Sequence, residues 1–138
     1  MTHTAIDLSP GAFGGVAAPR PAIGMAQWFG ARAQRGGNRP ALSFEGRTWT
    51  YAELAADIDR LATVLAQGGV QSGMRVAYLG FNHPMFFVAL FATARLGAVF
   101  VPLNFRLAGP EVQYIVNVAG VHSLLVGGAQ QPEIDGVR

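Results

Sequence analysis

Three short apolar runs, Val76 to Leu79, Val99 to Val101 and Leu124 to Val126, lie in the second half of the chain with helical patterns between them. None of them alternates apolar with polar positions. A strand buried on both faces reads as a continuous apolar run, and parallel strands need a crossover between them, so the spacing predicts a β-α-β-α-β unit over 75–126. The first crossover, PMFFVALFATARL from Pro84 to Leu96, has no charge before Arg95 and predicts a helix buried all round. Pro84 suits a first helical turn, Asn82 or His83 its cap, and Gly97 the left-handed residue after its end. The second crossover opens at Gly109-Pro110 and closes at Gly120. Val112, Ile115, Val116 and Ala119 form its apolar stripe, Glu111 sits near the positive end of its dipole, and the other face is wet.

Upstream the pattern changes. Residues 1–23 mix Pro and Gly with no sustained periodicity and read as a flexible arm; the Gly11 to Ala18 stretch is too interrupted for a secretory signal. Met25, Trp28 and Phe29 predict a short amphipathic helix ending at Gly36-Gly37. A hairpin over 41–49 turns at Glu45-Gly46, a weaker turn signal than Asn-Gly or Asp-Gly that leaves the loop type open. Thr50-Tyr51-Ala52-Glu53 is a capping box. It opens a helix over 51–67 with Leu54, Ile58, Leu61 and Leu65 on one face and Glu53, Asp57 and Arg60 on the other. Gln71 to Met74 turns into the first parallel strand, and past Gly127-Gly128 the chain reads as a polar tail without a strand. The expected organisation is therefore the arm and one α/β unit, 24–138.

Composition narrows the function classes. The apolar fraction of 51% is high for 138 residues and suggests surface meant for something else to cover. Net charge is only +2, and all ten basic residues are Arg, scattered from Arg20 to Arg138. Nucleic-acid binding leaves a concentrated basic patch, so that class is set aside. With no Cys there is no disulfide frame or thiolate site, which agrees with a cytoplasmic chain, and His3, His83 and His122 are too scattered for zinc. The Pro84 to Leu96 run falls short of the roughly 20 apolar residues of a membrane span.

The stretch from Arg39 to Leu107 carries a resemblance. Its hairpin followed by Thr50-Tyr51-Ala52-Glu53-Leu54, its GVQSGMRVA turn and its LGAVFVPLNFRL run stand in the order and spacing of the adenylate-forming acyl-CoA ligases, the AMP-binding enzymes that include fatty-acid-CoA ligases. The chain resembles that family's opening from about Met25 to Val126. Met74 is a departure, since the family commonly has Asp after the glycine at Gly73. The resemblance implies a three-layer-type parallel α/β unit, preceded by a helix, a hairpin and a capped helix, within a larger ligase N-terminal domain. It also implies an enzyme that joins a carboxylic acid, such as a fatty acid, to AMP and passes the acyl group to coenzyme A.

ATP, Mg and coenzyme A are implied for the complete enzyme, and none is expected to be bound by this chain. The family's Ser/Thr/Gly-rich phosphate loop ending in Pro-Lys is absent, and the sequence has no Lys. Phosphoryl chemistry needs backbone N–H groups, a cation and metal ligands aimed at developing charge, so the chain alone is expected to be inactive, with no catalytic or metal residue. Asn104 and Arg106 follow the second strand and Asn82 the first, where open α/β sheets bind ligands. They are the candidate cofactor contacts, although turn-forming and capping roles fit them better. Phe86, Phe87 and Phe91 read as core before they read as an acyl tunnel. The expected partner is the remainder of the ligase, or a second copy meeting an exposed apolar face. The competing function is a non-catalytic α/β interaction module that completes or regulates a larger ligase. A dinucleotide fold would need a Gly-rich fingerprint after the first strand, and Gly80-Phe81-Asn82-His83-Pro84 does not supply it.

Overall fold

The computed structural model describes residues 24–128; the predicted arm and the tail beyond residue 128 lie outside them. Helix α1 (Met25–Gly36) leads into strands β1 (Pro40–Phe44) and β2 (Arg47–Thr50), then α2 (Tyr51–Gln67). The β-α-β-α-β unit follows as β3 (Arg75–Leu79), α3 (Pro84–Arg95), β4 (Val99–Leu103), α4 (Gly109–Ala119) and β5 (Val121–Val126).

The sheet order is β4-β3-β5, with both pairings parallel. The chain steps from β3 to one side and then crosses back to the other, so two crossovers of one hand must lie on opposite faces. Strand pleating sorts the core accordingly. Val76 joins Val88 and Ala92 of α3, together with Leu54, Ile58 and Leu65 of α2 and Phe29 of α1. Ala77 and Leu79 face the other way, onto Val112 of α4 and Leu103. The result is three layers: α1, α2 and α3, then the sheet, then α4.

Several local signals act as their chemistry requires. The Glu53 N–H donates to Thr50 Oγ1 at 3.2 Å and the Thr50 N–H to Glu53 Oε2 at 2.7 Å, closing the capping box. Glu45 and Gly46 have φ of 46° and 78°, the paired positive values of a type I′ turn, which settles the loop type of the hairpin. That hairpin forms its own two-stranded sheet beside the main one. Gly97 and Gly120 close α3 and α4 with positive φ. Met74, the residue that departs from the resemblance, serves the turn as a weak acceptor, its Sδ taking the Gln71 N–H at 3.3 Å.

The structure also extends the pattern. β4 continues through Pro102 to Leu103, which an outer strand tolerates because half its backbone groups need no partner. β5 begins at Val121, three residues before its continuous apolar run, and one extra residue at His122 bulges its register against β3. α3 is not buried all round: Val88, Ala89 and Ala92 are enclosed, whereas Met85 and Phe87 keep 42% and 44% of their surface exposed. α1 and α2 cover only part of its outer face, Phe91 stacking on Phe29 at 4.6 Å.

Candidate functional site

In an open parallel sheet the ligand crevice lies at the carboxyl ends of the strands, where the strand order reverses. Here that point is between β3 and β5. The cleft there has a volume of about 450 Å³ and is lined by Tyr78 and Leu125 from the strands, Leu61 from α2, Phe81, His83 and Met85 from the β3–α3 connection and α3, and Gly127-Gly128 after β5. The Gly127 N–H donates to the Leu79 carbonyl at 2.8 Å, so the β3–β5 ladder runs to the lip of the cleft.

Tyr78 forms the floor. Its ring curls past Gly80 and packs edge-on against Phe86, with centroids 5.5 Å apart. Burial pushes its phenol above the ordinary value, so the hydroxyl keeps its proton, which it directs to the Phe81 carbonyl at 3.4 Å. His83 forms the wall beside α3 and is that helix's cap: its Nδ1 accepts from the Met85 N–H at 3.2 Å. Its ring also meets Phe44 of the hairpin edge-on at 5.2 Å and lines a second, apolar cavity of about 270 Å³ with Leu42, Phe86 and Phe87.

The helix N-termini at this edge are closed to anions. In α3, Pro84 has no N–H, Met85 donates to the His83 ring and Phe86 to the His83 carbonyl at 2.9 Å. In α4 the Glu111 carboxylate accepts from the Ala108 N–H at 2.8 Å, placing a negative charge where a phosphate would sit. Among the described residues no group of three His, Asp or Glu side chains converges to hold a metal. These residues do not fit the triphosphate and Mg²⁺ of an ATP site.

None of the three candidate contacts lines this cleft, although the loops that carry them meet where Phe81 packs on Phe105 with ring centroids 4.8 Å apart. Asn104 Oδ1 accepts from the Arg106 N–H at 3.0 Å, and its carbonyl accepts from Leu107, which makes it a turn residue. The Arg106 guanidinium lies 5.3 Å over the Phe105 ring, while Asn82 is exposed beside the hairpin cavity. Between capping candidates Asn82 and His83, His83 has the role. Phe86 is held between Tyr78 and Phe100, Phe91 packs on Phe29, and Phe87 points outward. Sequence reasoning missed Tyr78 and Phe81. The available signal was a tyrosine in a buried strand followed at once by glycine and an aromatic, at the strand's carboxyl end.

The layering, strand order and switch-point cleft define an open doubly wound α/β unit. Comparison with known proteins gives the family: residues 29–137 match the AMP-binding enzyme family model, and the chain belongs to that family. It is 44% identical over 102 residues to the feruloyl-CoA synthase of an Amycolatopsis species, covering 74% of this chain and 21% of that protein. To the indoleacetate–CoA ligase of Aromatoleum aromaticum it is 40% identical over 114 residues, covering 83% and 22%. A solved fatty acyl CoA synthetase from Mycobacterium tuberculosis superposes with a TM-score of 0.78 at 34% identity, over 83% of this chain and 23% of that one. The chain thus spans about a fifth of the length of the curated relatives it matches. No helix among the described residues is long and apolar enough to cross a membrane.

Proposed function

We propose that these residues are the N-terminal part of a cytoplasmic, AMP-forming ligase that activates a fatty acid or other carboxylic acid with ATP and Mg²⁺ and transfers the acyl group to coenzyme A. The observation that carries this reading is the family match over 29–137, joined to relatives whose names are those of CoA ligases. We further propose that the 138 residues alone are not competent and hold no catalytic, cofactor or metal residue. Supporting this, the sequence has neither the family's Ser/Thr/Gly-rich phosphate loop nor the Lys that ends it, and the α3 and α4 N-termini already have local partners. The remainder of the ligase is the natural cover for the outward rings of Trp28 and Phe87. Those same rings favour the second reading, a non-catalytic module that docks on a larger ligase.

Carboxylate-dependent exchange of pyrophosphate into ATP tests both parts. The purified chain is expected to show none with any acid, whereas fusing it in place of the matching segment of the Amycolatopsis feruloyl-CoA synthase should retain exchange. Exchange by the isolated chain would overturn the assignment of incompetence. A folded but inactive fusion would favour the docking module.

A further inference from the structure

We propose that the surface where α1 meets β1 docks an acidic protein segment, one that lays two or more carboxylates on Arg32, Arg35 and Arg39 and inserts an aromatic or aliphatic side chain in the groove beside them. The inference stands on this surface and not on the ligase reading.

The fold gathers the three arginines. Gly36 ends α1, about 18 Å along the helix axis from Gly24. Arg32 Nη1 and Arg39 Cδ lie 2.6 and 3.3 Å from the point a β-carbon on Gly36 would occupy, so two basic side chains cross one spot. The Arg32 guanidinium is held 4.6 Å over the Tyr51 ring, and Arg35 Nε donates to the Ala31 carbonyl at 3.2 Å. The Tyr51 N–H donates to the Arg39 carbonyl at 3.1 Å and the Ala52 N–H to the Gly37 carbonyl at 2.9 Å, which ties the α1–β1 connection to the start of α2.

The cluster lacks a counter-charge. Among the described residues no carboxylate pairs with any of the three: Asp57 and Asp59 meet Arg60 and Arg95, while Glu53 and Glu111 accept from backbone N–H groups. Like charges drawn together repel, and carboxylates relieve that repulsion while taking the forked hydrogen bonds a guanidinium offers.

Tyr51 joins the cluster to an apolar groove. It also lines the groove of about 250 Å³ formed by Trp28, Leu42, Phe87 and Phe91. An apolar slot with a basic rim fits a peptide that buries one anchor and lays its carboxylates alongside. A free phosphate would use the rim alone, and a bilayer, being flat, would not enter the slot.

The probe is the end-blocked hexapeptide DEDAFL, titrated into the full chain and followed by NMR at the arginine Nε–H signals. Saturable binding that shifts Arg32 and Arg39 is expected, and the neutral NQNAFL and the anchorless DEDASS should each bind at least about tenfold more weakly. Arg32→Gln with Arg39→Gln should weaken DEDAFL to the level of NQNAFL. Arg32→Lys with Arg39→Lys keeps the charge and should recover part of the loss, while Arg75→Gln, at the start of β3, should change nothing. Absence of saturable binding, equal binding of NQNAFL, an equal loss in Arg75→Gln, or tighter binding of inorganic phosphate or of phosphatidylglycerol vesicles would each overturn the proposal. So would peptide binding that emerges only after Asp7→Asn, Glu133→Gln and Asp135→Asn, since this chain's own carboxylates would then already hold the cluster.

Discussion

The hydroxyl of Tyr78 lies 2.8 Å from the point a β-carbon on Gly80 would occupy, and its ring carbon Cζ lies 2.9 Å from it. Gly80 is therefore glycine for reasons of space, since its backbone is not in the left-handed region. Gly80→Ala should destabilise the fold by about 1–3 kcal/mol, the usual range for overpacking, as the ring is driven toward Phe86. Tyr78→Phe in the same background should not restore stability, because Cζ remains; Tyr78→Leu should restore a large part. Urea unfolding of the three variants decides it, and full rescue by phenylalanine would show that the ring is not the obstacle.

At the turn into β3, the acceptor is a sulfur. Asp places an oxygen at the same number of bonds from the backbone as Met Sδ, and a carboxylate accepts an N–H far better than a thioether does. Met74→Asp is expected to stabilise the chain by about 0.5–1.5 kcal/mol. An unchanged urea midpoint would mean that the turn gains nothing from a stronger acceptor.

Glu53 couples α2 to pH. The Thr50 backbone N–H, and after it the Thr50 hydroxyl, hold its carboxyl below the usual value of 4.5. A depressed folded-state value contributes stability that is present above the unfolded value and lost as pH falls through the folded one. Stability should therefore decline on acidification below about 4.5, and Glu53→Gln should flatten that part of the profile. Unfolding midpoints measured from neutral to strongly acidic pH test this, and identical slopes in the two proteins would refute it.

Trp28 and Phe87 leave 54% and 44% of their surfaces in water and line adjoining parts of one apolar groove along Leu42. Patches of this kind are uncommon on soluble monomers. Light scattering of the 138-residue chain at micromolar concentration should show dimers or larger species. Trp28→Ser with Phe87→Ser should shift them to monomer, while Phe86, held between Tyr78 and Phe100, is not an outward ring. A monomer in both proteins would show that the groove does not drive association.

The elements themselves are legible in the residues, because each rests on short-range chemistry. Thr50 and Glu53 close their box three residues apart, Pro84 and Gly97 bracket α3, and Gly120 closes α4. The unbroken apolar runs at Val76 and Leu124 already implied parallel strands, but only β3 is covered on both faces, and every residue of the outer strand β5 keeps part of its surface exposed. Within a run, however, nothing says which neighbour a strand takes, and the sequence could not show β3 between β4 and β5. That order depends on where α3 and α4 find apolar surface, a matter of long-range packing. It also creates the cleft, since Tyr78, His83 and Gly127 meet only when β5 returns to the far side of β3. The candidates Asn82, Asn104 and Arg106 were chosen for lying after strands, but local hydrogen bonding turns Asn104 back on its own loop. A polar side chain near its own backbone finds a partner there at little entropic cost, and only the tertiary structure shows which side chains remain facing the cleft.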